Sequence, residues 1–307
     1  MGRTAAKLRD SAAFKGEIRM NKTTKFLLDI LRGVVIGVAN VIPGVSGGTM
    51  MVSMGVYDDL IDSINGLFRH FKKSILTLLP YVLGMGIGIV GFAKLIEILF
   101  EKAPIPTALL FVGLIFGGIP MMLKRVKKSK IDVLSVVLFV IFFALVIGLE
   151  ILGQHTGADK NLTVSLVGII ISLGLGLIAS ATMIIPGVSG SMVMMILGYY
   201  NSIISTINEF VESLVHLDGA GILKGIGILL PFGIGVLLGI FGVAKGIKWL
   251  LEHYESKTYC AILGLVVASP YPVYVNAGIT DFSFLMIIIG VVCFALGFFG
   301  AYKLGDK

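Results

Sequence analysis

Residues Ile42-Pro43-Gly44-Val45-Ser46-Gly47 recur unchanged as Ile185-Pro186-Gly187-Val188-Ser189-Gly190, both times inside a strongly apolar stretch. Proline removes a backbone donor and glycine loosens the chain, so a regular helix is interrupted at each copy. At membrane depth, broken backbone is tolerated only where protein buries it or where it lines a polar cavity. Two matched interruptions in an apolar chain therefore point to a transporter built from two repeats, with its binding site at the breaks.

The repetition runs well beyond six residues. A shift of 143 positions aligns Pro43 with Pro186, Met51 with Met194, Gly55 with Gly198, Tyr57 with Tyr200 and Asn65 with Asn208. Apolar residues Leu60, Ile61, Ile64, Leu67, Phe68 and Phe71 match Ile203, Ile204, Ile207, Phe210, Val211 and Leu214. That spacing is one face of a helix, which predicts an amphipathic helix at the membrane surface after each hexapeptide. After an eight-residue insertion the shift becomes 151, and Leu78-Leu79-Pro80 matches Leu229-Leu230-Pro231. Gly84, Gly88, Gly91, Ala93, Lys94 and Glu101 then match Gly235, Gly239, Gly242, Ala244, Lys245 and Glu252.

Composition sets the class. Apolar residues make up 56% and charged residues 14% of the 307, against about 25% charged in an ordinary soluble domain. Runs long enough to cross roughly 30 Å of hydrocarbon lie near 75–100, 106–123, 131–152, 225–251, 258–275 and 282–302, while 26–56 and 162–200 carry the hexapeptides. Residues 1–19 form a basic arm, expected to be retained on the cytoplasmic side, because cleavage after the first apolar run would destroy the repeat. Cys260 and Cys293 stand singly in apolar segments and read as packing residues.

Charge decides how the copies are oriented. The two arms of each hexapeptide segment, about 17 and 14 residues, are short for full spans, which predicts a re-entrant hairpin. Each copy, 20–152 and 162–303, then has three crossings, and the odd number inverts the second copy. With both termini inside, the cytoplasmic segments collect the arm, Arg69, Lys72, Lys73, Lys124, Arg125, Lys127, Lys128, Lys130, Lys257, Lys303 and Lys307. The outer loops keep Lys102 and Lys160, and the outer amphipathic segment carries Glu209, Glu212 and Asp218. A single crossing at each break would turn the cluster from Lys124 to Lys130 outward, against the positive-inside rule. The expected fold is an all-α polytopic membrane protein of two inverted repeats. Each has a re-entrant broken-helix hairpin, an interfacial amphipathic helix and three transmembrane helices, and together they form one membrane domain.

In that arrangement the two turns approach the midplane from opposite faces. Turn N–H groups and the N-terminus of the following half-helix favour an anion. Gly44, Gly47, Gly48, Gly187 and Gly190 allow close approach, and Ser46, Thr49, Ser189 and Ser191 add hydroxyl donors. Charged residues within apolar runs are functional candidates: Arg32, Lys94 and Lys245 as cations for the anion, and Glu97 or Glu101 as carriers of a coupling proton. Two alternatives stay open, snorkelling of the lysines toward headgroups and pairing of Arg32 with Asp29 one turn earlier.

Gly44-Val45-Ser46-Gly47-Gly48 also fits the G-x-S-x-G pattern of a serine hydrolase. The second copy, Gly187-Val188-Ser189-Gly190-Ser191, does not, and His70, His155, His216 and His253 all fall outside the spans. No nucleotide-binding loop or zinc pattern is present, so no cofactor, metal or nucleic-acid partner is expected.

Asn40-Val41-Ile42-Pro43-Gly44-Val45-Ser46-Gly47-Gly48-Thr49 and Ile185-Pro186-Gly187-Val188-Ser189-Gly190-Ser191 closely resemble the doubled motif of the polyprenyl-phosphate transporter family, formerly domain of unknown function 368, over nearly the whole chain. The resemblance implies a bacterial cytoplasmic-membrane protein that returns undecaprenyl phosphate from the outer to the inner leaflet, recycling the carrier for cell-envelope precursors. It implies the lipid and the bilayer as partners. A transporter of a small soluble anion, an energy-independent scramblase and an intramembrane hydrolase are the competing readings.

Overall fold

The computed structural model describes residues 21–41, 45–127, 131–153, 159–279 and 283–305, and every regular element among them is an α-helix. The basic arm and Ile42, Pro43 and Gly44 lie outside the described residues. Helix α1 (Lys22–Val41) leads to the first break, and α2 (Gly47–Ser53) leads away from it. Then come α3 (Tyr57–Gly66), the long α4 (Phe71–Lys102), α5 (Pro104–Lys127) and α6 (Val133–Gly153). The second half repeats the order: α7 (Leu166–Ile184), α8 (Gly190–Leu197), α9 (Tyr200–Val215), the long α10 (Gly219–His253), α11 (Glu255–Ala268) with its continuation α12 (Pro270–Asn276), and α13 (Phe284–Gly305).

Among the described residues, seven segments are long and apolar enough to cross a membrane: Phe71–Phe92 of α4, Pro104–Lys124 of α5, α6, α7, α10, α11 with α12, and α13. The chain is a multi-pass, all-helical membrane protein. Helix α7, expected as a short arm, reaches 19 residues and is long enough to span. Helix α1 is as long, but Lys22, Lys25, Asp29 and Arg32 occupy its first turns. The arms after the breaks are shorter than expected, at 7 residues for α2 and 8 for α8. At 1.5 Å per residue α8 is about 12 Å long, too short to cross. Both stop at aligned glycines in the left-handed region, Gly55 at φ 66° and Gly198 at φ 79°, which a side chain would disfavour. Beyond Gly198 the chain bends by 105° into α9.

The largest helix contacts pair α1 with α4, α7 with α10, α5 with α13 and α6 with α11. Glycines set the register of these pairs by letting backbones touch. Gly84 sits against Ile30 and Gly33, and Gly88 against Val34 and Gly37; Gly235 sits against Leu173, and Gly239 against Leu177. Numbers rise together in both cases, so α4 runs in the same direction as α1, and α10 in the same direction as α7. Between parallel neighbours the chain must come back, and α2 with α3, or α8 with α9, makes that return.

Amphipathic α3 buries Tyr57, Leu60 and Ile61 and packs on both the start of α4 and the end of α10, where Asp62 meets Lys248 at 2.6 Å and Asn65 donates to the Ala244 carbonyl at 2.9 Å. Its apolar stripe was expected to continue through Phe71, but α3 ends at Gly66, and Phe68 and Phe71 are exposed. Helix α9 packs on the start of α10 and leaves Ile204, Ile207, Val211 and Leu214 uncovered by protein. At the start of α6, Asp132 accepts hydrogen bonds from the Ser135 hydroxyl and amide and faces Lys257 of α11 at 3.5 Å. The bonds from Ser135, with Lys257 beside them, hold the Asp132 carboxyl below the usual carboxylate range.

Close packing at Gly84 and Gly235 sets an expected outcome. A Cβ at either position overlaps a backbone carbonyl of the neighbouring helix, whereas a Cβ at Gly86 or Gly233 meets nothing within 4 Å. Gly84→Ala and Gly235→Ala should each destabilise by about 1–3 kcal/mol, read as a fall in the midpoint of thermal unfolding in detergent. Gly86→Ala and Gly233→Ala should not lower it.

Candidate functional site

The two breaks touch. Thr49, fully buried in the first turn of α2, accepts a hydrogen bond from the Gly187 amide at 2.7 Å. Its hydroxyl lies 3.3 Å from the Ser269 hydroxyl, which itself donates to the Leu265 carbonyl at 2.9 Å. With the Ser269 proton spent there, Thr49 is the donor to Ser269. Gly187 has φ 78°, and a Cβ on it would lie 2.6 Å from the Leu265 carbonyl oxygen. Gly48 is equally hemmed in, since its Cβ would lie 2.8 Å from the Ile184 carbonyl oxygen and 3.0 Å from the Pro186 nitrogen. Glycine at position 48 lets the two segments come this close, and glycine at position 187 lets the second turn lie against α11.

Beside this contact lies a cavity of about 640 Å³ that both hexapeptides line. Ser46 and Gly47 face it from the first copy, and Ser189, Gly190 and Ser191 from the second, with Asn40 and Thr182 between them. Ser46 and Ser189 stand at the N-cap positions of α2 and α8, yet neither side chain caps its helix. The Ser46 hydroxyl points to the Ile185 carbonyl at 3.4 Å, and the Ser189 and Ser191 hydroxyls face each other at 3.0 Å. Hydroxyls freed from capping are available to a ligand, and the weak Ser46 bond is easily exchanged. The rest of the lining is mostly apolar and includes Ile89, Met183, Ile204, Ile207 and Phe232. Met183, Ile204 and Ile207 are also substantially exposed.

Among the described residues, none that lines the cavity carries a charge. The expected cations sit elsewhere. Arg32 is buried against Asp29 at 3.0 Å and donates to the Leu304 carbonyl. Asp29 also accepts from Tyr81 at 2.8 Å and faces Lys25 at 3.3 Å. This is the pairing that competed with phosphate binding in the sequence, and it ties α1 to α4 and α13. Lys94 and Glu97 pair with each other at 2.9 Å with both side chains exposed, beyond the end of the apolar span. Glu101 and Lys245 are exposed as well. Gly44 lies outside the described residues. The structure thus brings together Ser46, Gly47, Ser189, Gly190 and Ser191, uses Gly48, Thr49 and Gly187 to join the turns, and leaves the charges away from both. His70, His216 and His253 do not line the cavity beside Ser46.

Asn40, Thr182 and Ser269 were not singled out from the sequence. By the repeat alignment Thr182 stands opposite Ala39 and Asn40 opposite Met183, so a search for residues shared by both copies passes over them. The signal for Asn40 and Thr182 is a lone polar residue in the last helical turn before each break.

Thr49→Val keeps the shape but removes the acceptor for the Gly187 amide. An unpaired buried donor costs about 1–3 kcal/mol, so the unfolding midpoint should fall, while Thr49→Ser should retain most of it. Arg32→Gln leaves Asp29 buried without its closest cation. Breaking a buried pair costs about 3–5 kcal/mol, so this variant should lose more stability than Thr49→Val in the same thermal measurement.

No solved structure matches the chain. A "Polyprenyl-phosphate transporter" of Staphylococcus aureus is 32% identical over 283 residues, covering 91% of this chain and 95% of that protein. A protein of the same description from Vibrio cholerae serotype O1 is 30% identical over 264 residues, covering 81% and 77%. The family model described as "VCA0040-like: Undecaprenyl phosphate translocase-like" matches residues 36–285, an interval that holds both hexapeptides and the cavity between them. The chain therefore belongs to the VCA0040-like family of undecaprenyl phosphate translocase-like proteins.

Proposed function

We propose that the protein carries a polyprenyl phosphate, with undecaprenyl phosphate as the natural choice, from the outer to the inner leaflet of the bacterial cytoplasmic membrane. The observation that carries this reading is the mixed lining of the cavity. It offers hydroxyl, amide and Asn40 donors from both broken segments together with apolar side chains, of which Met183, Ile204 and Ile207 are also exposed. Such a space suits an amphiphile whose phosphate hides inside while its tail stays in lipid. A small soluble anion has no use for the apolar lining. The names of the two relatives support the same substrate class.

In this reading the phosphate is held by Ser46, Gly47, Ser189, Gly190 and Ser191 with Asn40 and Thr182. Gly48, Thr49 and Gly187 brace the pocket, Arg32 braces α1, and Lys94, Lys245, Glu97 and Glu101 sit at headgroup level. The halves 20–152 and 162–303 are inverted copies. Support comes from α3, which packs at the start of α4 and the end of α10, while α9 packs at the start of α10. Rocking of the halves about the shared turns exposes the pocket to each leaflet alternately. The clusters at Arg69 to Lys73 and at Lys124 to Lys130 favour a cytoplasmic N-terminus. Inward movement carries negative charge against an inside-negative potential, at about 2.3 kcal/mol per charge per 100 mV, so an accompanying proton makes physical sense.

The test is transfer of undecaprenyl phosphate between leaflets of reconstituted vesicles, followed by its accessibility to a phosphatase added outside. The wild-type protein should move it. Each hydroxyl that bonds a charged group contributes about 1.5–3 kcal/mol, so Ser46→Ala with Ser189→Ala should slow transfer at least 10-fold without lowering the unfolding midpoint. Undiminished transfer in the double variant removes the pocket assignment. Failure of the wild type to move the lipid, combined with uptake of inorganic phosphate, establishes the soluble-anion reading instead.

A further inference from the structure

Among the described residues, the buried acidic and basic side chains are Asp29, Arg32 and Glu150. Asp29 and Arg32 neutralise each other, but Glu150 has no such partner among the described residues. It is 2% exposed on α6, one turn before the end of the span. One carboxyl oxygen accepts from the Asn276 amide at 2.7 Å, and the Asn276 amide also donates to the Pro272 carbonyl at 2.8 Å, which fixes its orientation. The other oxygen is buried with no hydrogen-bond partner among the described residues.

The helices packed on α6 supply no counter-charge there. Helix α8 has no titratable side chain, and α12 brings Tyr271 and Tyr274. The titratable residues of α11, namely Glu255, Lys257, Tyr259 and Cys260, belong to its first turns, at the far end of α6 where Lys257 meets Asp132. Helix α6 has no other ionisable residue. Lys160, the nearest described cation along the chain, lies over the Tyr199 ring. A carboxylate without a cation in an apolar interior is strongly disfavoured, whereas a neutral acid with one hydrogen bond is tolerated. The packing around Glu150 therefore suits the acid.

Glu150 is also joined to the proposed pocket. Val146, four residues earlier and on the same helix face, is fully buried in a cluster with Val188, Leu265 and Ala268. Ile185 and Val193, on either side of the second turn, pack against that cluster. We propose that Glu150 is a proton-binding site that couples proton uptake to the position of the second turn. As the acid it lets α6 and α12 close on that turn. As the carboxylate it draws in water and loosens them. The balance is one proton taken from water as the O–H bond forms and returned to water as it breaks. The proposal rests on the transport reading above, and each proton carried inward cancels one charge of the phosphate.

The experiment uses the full chain in vesicles containing undecaprenyl phosphate, with and without an imposed gradient of one pH unit. A one-proton coupling predicts up to about 10-fold faster transfer down the gradient. Glu150→Gln, which keeps the acceptor for Asn276, should transfer lipid at the same rate with and without the gradient. Infrared spectra of the same vesicles at neutral pH should show the carbonyl band of a protonated acid that disappears in Glu150→Gln. Asn276→Val should keep that band but shift its frequency, because the acid loses its hydrogen bond. A gradient response in Glu150→Gln equal to wild type overturns the proposal, as does a wild-type protein lacking the band. Wild-type transfer indifferent to the gradient also overturns it and leaves the transport reading standing. Absence of any wild-type transfer sinks the transport reading, while the infrared band still tests whether Glu150 is protonated.

Discussion

The hydrogen bond from the Gly187 amide to the Thr49 hydroxyl satisfies a backbone donor that no helix ladder can reach. In a membrane protein that constraint is severe, because an unpaired amide away from water costs several kcal/mol. Each break leaves such groups, and placing the breaks against each other gives one a partner from the other. The price is proximity, met between the segments by Gly48 and against α11 by Gly187, where a Cβ would strike backbone. Helices α11 and α5 hold the joint from behind. Ser269 and Leu265 close around Thr49 and Gly187, while Ser53 packs on Gly118. The cavity is the space left beside a contact that the backbone needed.

The polar part of the lining is uncharged, and in the proposed reading this bears on how the phosphate is held. Hydroxyls and helix-start amides offer donors without a permanent cation, so the cavity does not carry a large electrostatic penalty when empty. The charges that an apolar chain would place near a phosphate are instead used on structure. Arg32 and Asp29 fasten α1 to α4 and α13, Lys248 fastens α10 to α3, and Lys257 fastens α11 to α6. Moderate binding by neutral donors also suits a carrier, which has to release what it holds.

Much of this was legible in the residues. The doubled hexapeptide located both breaks, and hydropathy located six of the seven long apolar segments, α7 being the exception. Gly84 with Gly235 and Gly55 with Gly198 stood out as aligned pairs, and the fold uses them for helix contact and helix termination. These features are local or periodic, and local backbone chemistry decides them. The hydroxyls at Ser46, Ser189 and Ser191 belonged to the same motif and were found with it.

What the tertiary structure alone decided is which side chains face one another. Residues within a turn of each other in sequence took separate roles: Gly47 lines the cavity, while Gly48 and Thr49 brace the opposite segment. Arg32 looked equally able to meet a phosphate or Asp29, and the packing of α1 on α4 and α13 gave it to Asp29. Asn40 and Thr182 reached the cavity from unmatched positions of the repeat, and Glu150 met Asn276 across 126 positions. Sequence determines where a helix must stop and which face is apolar, because those depend on neighbouring residues. The facing of one helix toward another depends on the packing of the whole, and only the folded chain contains it.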